Sequence, residues 1–148
     1  MHSPPDSVPP QVPVQALADW PSPLTLVLQD SELLRLGREG DDGLIELSSA
    51  LVHWHSPSQR EPVQGWVWPL RLQWSGLEVW TLRDFTPGRI AQARLSRDGQ
   101  DLTPQLPALY AGRLALQLEF ARGGSLRLQA RTLRVGLEGA QLRESLAC

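Results

Sequence analysis

Trp66-Val67-Trp68-Pro69-Leu70-Arg71-Leu72-Gln73-Trp74 places Trp66, Trp68, Leu70, Leu72 and Trp74 on even positions and Val67, Pro69, Arg71 and Gln73 on odd ones. Side chains alternate faces along a strand, so the stretch predicts a central β-strand whose even residues face a core. Pro69 falls on the other face, where its missing backbone donor predicts a bulge or an edge placement. The alternation returns at Leu114, Leu116, Leu118 and Phe120, breaks at Ala121-Arg122-Gly123-Gly124, and resumes at Leu126, Leu128 and Ala130. That is two strands around a glycine turn. The apolar parity then becomes odd at Leu133, Val135 and Leu137. A one-residue slip exchanges the faces of a strand, so a bulge near Arg131-Thr132, or a crossing between two sheets, is expected.

Working outward, Leu24, Leu26 and Leu28 open a first strand, Asp30-Ser31 breaks it, and Leu34 and Leu36 alternate beyond. Gly40-Asp41-Asp42-Gly43 is turn chemistry, and Leu44 to Val52 returns with Ile45, Leu47 and Leu51 on one face. A single helical turn capped by Ser31 is the alternative to this hairpin. Ser56 to Pro62 is a polar loop, Leu77 to Leu82 a short strand, and Thr86-Pro87-Gly88 a turn. Asp98-Gly99 follows Ile90 to Leu95 as a favoured hairpin pair, and Pro104 and Pro107 interrupt any strand around Leu106. Turn signals every 8–12 residues or so, with no long amphipathic helix, predict an all-β chain. The expected architecture is an antiparallel β-sandwich or a partly closed small barrel with little helix.

The 148 residues fit one domain, and seven of the 13 prolines lie within the first 23 residues. The expected division is a proline-rich N-terminal arm, 1–23, unable to build a ladder, and a single β domain, 24–148. Pro10-Gln-Val-Pro13 matches P-x-x-P spacing, but the match is too short to identify a docking ligand. Cys148 is the lone cysteine, which excludes an intrachain disulfide framework. The amino terminus has no basic region followed by an apolar stretch, and no run approaches a membrane span. A cytoplasmic chain with no membrane partner is the expectation. Fourteen basic residues, all arginine, against 16 acidic ones give a net charge of -2, which argues against a nucleic-acid surface. The absence of lysine and asparagine reads as a GC-rich bacterial genome rather than as selection for arginine.

His53-Trp54-His55 is the strongest chemical candidate, because histidines at i and i+2 on a strand project from one face. With Glu61 the segment resembles the first cupin motif, where two histidines and a glutamate bind metal inside a β-barrel. The resemblance implies His53, His55 and Glu61 as metal ligands of a cupin-like enzyme. The spacing to Glu61 is longer than the motif's and no third histidine follows, since His2 lies in the arm. No cofactor is therefore expected, because catalytic zinc takes three protein ligands. Nucleophile signatures and glycine-rich phosphate loops are absent. Core packing is the favoured reading of the tryptophan stripe, with a partner interface and a ligand pocket as alternatives. Trp54 and Trp80 lie outside the stripe and are the candidates for a ligand or partner contact.

Three segments are similar to small β-proteins of GC-rich proteobacteria with no assigned activity: Leu28 to Leu34, Gly88 to Ala93, and Glu144 to Cys148. The first also resembles the opening strand of immunity-protein-like β domains of bacterial toxin systems, with Gln29 where histidine is usual. The lack of a catalytic set, the many aromatics and the mild charge favour a non-enzymatic β domain acting in protein–protein interaction, accessory or immunity-like, with a protein partner or a homo-oligomer. A small-molecule-binding barrel with a tryptophan-lined cavity is the alternative, and the cupin-like metal enzyme the third reading.

Overall fold

A computed structural model of the chain describes residues 11–13, 23–55, 60–106, 108–137 and 141–144. The strands in chain order are β1 (Gln11–Pro13), β2 (Leu24–Glu39), β3 (Asp42–Trp54), β4 (Val63–Trp68), β5 (Leu70–Ser75) and β6 (Val79–Arg83). They continue as β7 (Gly88–Arg97), β8 (Gln100–Asp101), β9 (Gln105–Leu106), β10 (Ala108–Phe120), β11 (Ser125–Gly136) and β12 (Gln141–Glu144). No helix occurs among the described residues, and none is long and apolar enough to cross a membrane. The order β2-β3-β5-β11-β10-β7 closes on itself through Glu32 opposite Arg89 and Leu33 opposite Gly88. The result is a closed six-stranded antiparallel barrel with the remaining strands outside it. Closure removes the sheet edges that an open sheet of this length would expose.

Leucine fills the barrel: Leu47, Leu70, Leu72, Leu116, Leu118 and Leu126 are fully buried, and Trp74 is the largest side chain among them. The glycine turn joins β10 to β11, and Asp98-Gly99 joins β7 to β8, both as the sequence predicts. The parity switch in β11 is also present. Gly112 and Arg113 of β10 intervene between Ala111 opposite Thr132 and Leu114 opposite Ala130, while β11 has only Arg131 there. The extra residue of the bulge therefore sits on β10, and Leu133, Val135 and Leu137 inherit the inward face.

Three expectations are corrected. Leu70, Leu72 and Trp74 do face inward, but Trp66 and Trp68 are only half-buried, and the inward face of β4 belongs to Val63, Gly65 and Val67. The ladder stops between Leu47 opposite Leu70 and Ala50 opposite Val67, leaving Ser48 and Ser49 across from Trp68 and Pro69. Pro69 has no donor for that gap, so two successive residues on each strand miss the ladder and both strands exchange faces together. For the same reason Ala50, Val52 and Trp54 take the inward face after Ile45 and Leu47, and Leu51 lies on the other side.

The second correction concerns the break expected at Asp30-Ser31: the favoured β2–β3 hairpin forms, but β2 runs through this point as one strand with a bulge. Asp30 has φ of 73°, and the buried Ser31 hydroxyl donates to the Val27 carbonyl at 2.6 Å and accepts from the Leu51 amide at 2.9 Å. The bulge shifts register, so Leu33 is buried and Leu34 is left 46% exposed.

Finally, the proline-rich arm does build a ladder. Gln11, Val12 and Pro13 pair with Arg143, Leu142 and Gln141 of β12. Proline is tolerated there because, among the described residues, β1 is an edge strand paired on one side. Residues 1–10 and 14–22 of the arm and Cys148 lie outside the described residues.

Candidate functional site

Cross-strand register builds the most developed surface feature. Gly37 of β2, Leu44 of β3, Gln73 of β5, Arg134 of β11 and Leu109 of β10 lie opposite one another in sequence of strands. They form one row on the outer face and line a groove of about 710 Å³. The next row along supplies Glu39, Asp42, Ser75 and Thr132, with the Ser75 and Thr132 hydroxyls hydrogen-bonded across β5 and β11. Arg38 also lines the groove, its Nε donating to the Gly40 carbonyl at 2.9 Å. Arg134 makes no ion pair among the described residues.

Leu109 is 71% exposed at the margin of this groove. Its neighbour Tyr110 holds the start of β10 in place: the hydroxyl accepts the Gln105 amide at 2.8 Å, and the Arg97 guanidinium lies 5.7 Å from the ring centroid. A leucine is thus presented to solvent from a fixed backbone.

On the other side of the groove row lies an ionic row: Arg35, Glu46 and Arg71 face one another across β2, β3 and β5. Arg35 Nε donates to Glu46 Oε1 at 2.5 Å and Arg71 Nε to Oε2 at 3.0 Å, with Glu46 only 4% exposed. Burial pushes the Glu46 carboxyl up, but hydrogen bonds from Arg71 and Arg35, with their charges, outweigh it and hold the carboxyl below its ordinary value. A carboxyl lowered by folding stabilises the fold above its unfolded value of about 4.3, and that contribution fades as pH falls through the lowered folded value. Urea midpoints at about pH 7 and about pH 3 should therefore fall less in Glu46→Gln than in the wild type. Equal falls would show that the triad adds no pH-dependent stability.

The residues singled out from sequence are dispersed. His53 is half-buried on β3 opposite Gln64, His55 is exposed just beyond it, and Glu61 is exposed ahead of β4. Among the described residues no three His, Cys, Asp or Glu side chains gather where they could hold a metal ion. Trp54 is 8% exposed and belongs to the core, so it offers little contact surface, while Trp80 is half-buried against the core with its ring beside Gly43. Neither lines the groove; of the tryptophans, Trp74 does. Sequence reasoning missed Leu109 and Arg134. One signal was available: Leu109 shares its parity with Arg113, Gln117 and Glu119, the outward residues of β10.

No protein-family model, curated protein or solved structure matches this chain.

Proposed function

We propose that this chain is a non-enzymatic bacterial β domain that acts through protein–protein interaction, in an accessory or immunity-like role in the cytoplasm. The observation that carries the reading is Leu109, a large apolar side chain held in solvent beside a groove with charges of both signs. Apolar surface rimmed by polar residues is a mark of protein-interaction sites, and here Leu109 and Leu44 share the groove with Arg38, Glu39, Asp42 and Arg134. The arginine-only basic set and the lack of lysine and asparagine support a bacterial source. A tryptophan-lined cavity has less support, because Trp54 and Trp74 are packed into the core. The cupin-like reading has less again, because His53, His55 and Glu61 lie at the half-buried and exposed margin of β3 and β4.

Leu109→Glu tests the proposal. At so exposed a position it should change stability by no more than about 0.5 kcal/mol. A polypeptide isolated on the wild-type chain, purified and titrated, should bind Leu109→Glu at least about tenfold more weakly, which is about 1.4 kcal/mol. Leu34→Glu, also exposed but outside the groove, should bind as the wild type does. Absence of any ligand that discriminates Leu109→Glu from Leu34→Glu would overturn the reading.

A further inference from the structure

Four features of the groove contribute nothing to the fold itself. Leu109 is exposed at its margin, and Arg134 meets no carboxylate among the described residues. Glu39 and Asp42 stand directly opposite each other across the β2–β3 ladder, and neither pairs with a cation among the described residues. Like charges placed so destabilise a strand pair. Gly37 lies within β2 without a positive φ, and nothing is within 4 Å of the place its Cβ would take. The ladder is regular from Arg35 to Glu39, so no bulge calls for glycine there. A strand glycine free of those demands leaves room for a ligand or another backbone to approach. All of these residues line the one groove.

The charges are sorted by row. Glu39 and Asp42 outnumber Arg38 along one wall, where Arg38 Nε is held by the Gly40 carbonyl. Arg134 stands in the middle row, and Arg35 and Arg71 outnumber Glu46 in the row beyond. Gly37 and Leu44 lie between, one without a side chain and the other apolar. The groove is therefore negative at one wall, positive at the other and apolar along part of its floor. Asp42 on β3 and Arg134 on β11 are two strands apart and offset by two residues, which puts their Cα atoms about 12 Å apart. An extended chain rises about 3.3 Å per residue, so roughly four residues of it cover that distance and return to the same face.

We propose that the groove binds an extended segment of a partner protein that carries a cation, an apolar residue and a carboxylate at alternate positions. The cation faces Glu39 and Asp42, the apolar side chain covers Leu44 beside Gly37, and the carboxylate pairs with Arg134. A purely acidic segment is repelled at one wall and a purely basic one at the other. The inference rests on the protein–protein reading and gives its partner a chemistry.

Fluorescence anisotropy with three labelled, end-capped peptides tests this: Lys-Ser-Leu-Ser-Glu, Glu-Ser-Leu-Ser-Glu and Lys-Ser-Leu-Ser-Lys. The wild-type chain should bind the mixed-charge peptide at least about tenfold more tightly than either of the others. Glu39→Lys combined with Asp42→Lys should instead prefer the doubly acidic peptide. That variant keeps a like-charged pair in the hairpin, so the hairpin's own balance is preserved. Glu119→Lys with Asp101→Lys makes the same change in net charge outside the groove and should keep the wild-type preference. Gly37→Val fills open space with a residue suited to strands, so thermal unfolding should hold while the mixed peptide binds at least about tenfold more weakly. Equal or undetectable binding of the three peptides overturns the proposal. So does an unchanged affinity in Gly37→Val, or an unchanged preference in the Glu39 and Asp42 double variant. A polypeptide that discriminates Leu109→Glu from Leu34→Glu while these peptides fail sustains the interaction reading and overturns only the partner's chemistry.

Discussion

Trp74→Ala should cost about 3–5 kcal/mol of folding stability, whereas Trp74→Phe should stay within about 1 kcal/mol of the wild type. Trp74 is 2% exposed, lies opposite Gly43 of β3 and Leu133 of β11, and is the largest fully buried side chain in the barrel. Truncation to alanine leaves a void among strands that are hydrogen-bonded on both sides and cannot collapse into it. Phenylalanine leaves a smaller void and removes a liability. The indole Nε1 is buried without a hydrogen-bond acceptor among the described residues, and an unsatisfied buried donor costs about 1–3 kcal/mol. The two changes oppose each other. Urea unfolding with linear extrapolation measures both variants, and a Trp74→Phe loss well above about 1 kcal/mol would show that removing the unpaired donor brings no relief.

Gly124→Ala should be the most damaging single methyl added to the fold, at more than about 4 kcal/mol. Gly124 has φ of 97°, a conformation that side-chain-bearing residues rarely adopt. A Cβ there would also run into the backbone carbonyls of Arg83 and Asp84. Those carbonyls cannot retreat, because Arg83 is paired with Ser125 at the end of the β6–β11 ladder. Gly99→Ala is the matched control: φ is 84°, but nothing lies within 4 Å of its Cβ position. It carries only the conformational cost, about 1–3 kcal/mol. Thermal and urea unfolding of the pair separates strain from collision, and similar losses would mean that the β6 backbone yields.

The barrel was legible wherever information was local. Leu114 to Phe120, the glycine turn and Leu126 to Ala130 pair as their alternation requires, and the odd parity from Leu133 onward announced a bulge. The failures share one cause: contacts between distant segments decided the face. Trp66 and Trp68 continue the even alternation of Leu70 in sequence, yet the gap facing Ser48 and Ser49 turns them outward. Nothing near Pro69 shows that its partner strand also breaks there. Val12 lies in a segment whose prolines argue against any strand, and only the edge of β12 makes room for one. The groove was least legible, because its row draws one residue from each of five strands, and a linear scan sees five unrelated side chains.

The barrel's six seams are unequal. β2 and β3 share ten residue pairs, and β10 and β11 share ten, but β2 meets β7 through only two. An exposed ion pair, Arg89 to Asp30 at 2.9 Å, reinforces that junction, and solvent and salt weaken such a contact. The cylinder is therefore a rolled sheet with a zipper. Parting the Glu32–Arg89 and Leu33–Gly88 pairs breaks fewer ladder positions than opening any other seam of the barrel. Amide hydrogen exchange along β2 and β7 at this seam is therefore expected to be faster than along the ten-pair β10–β11 seam.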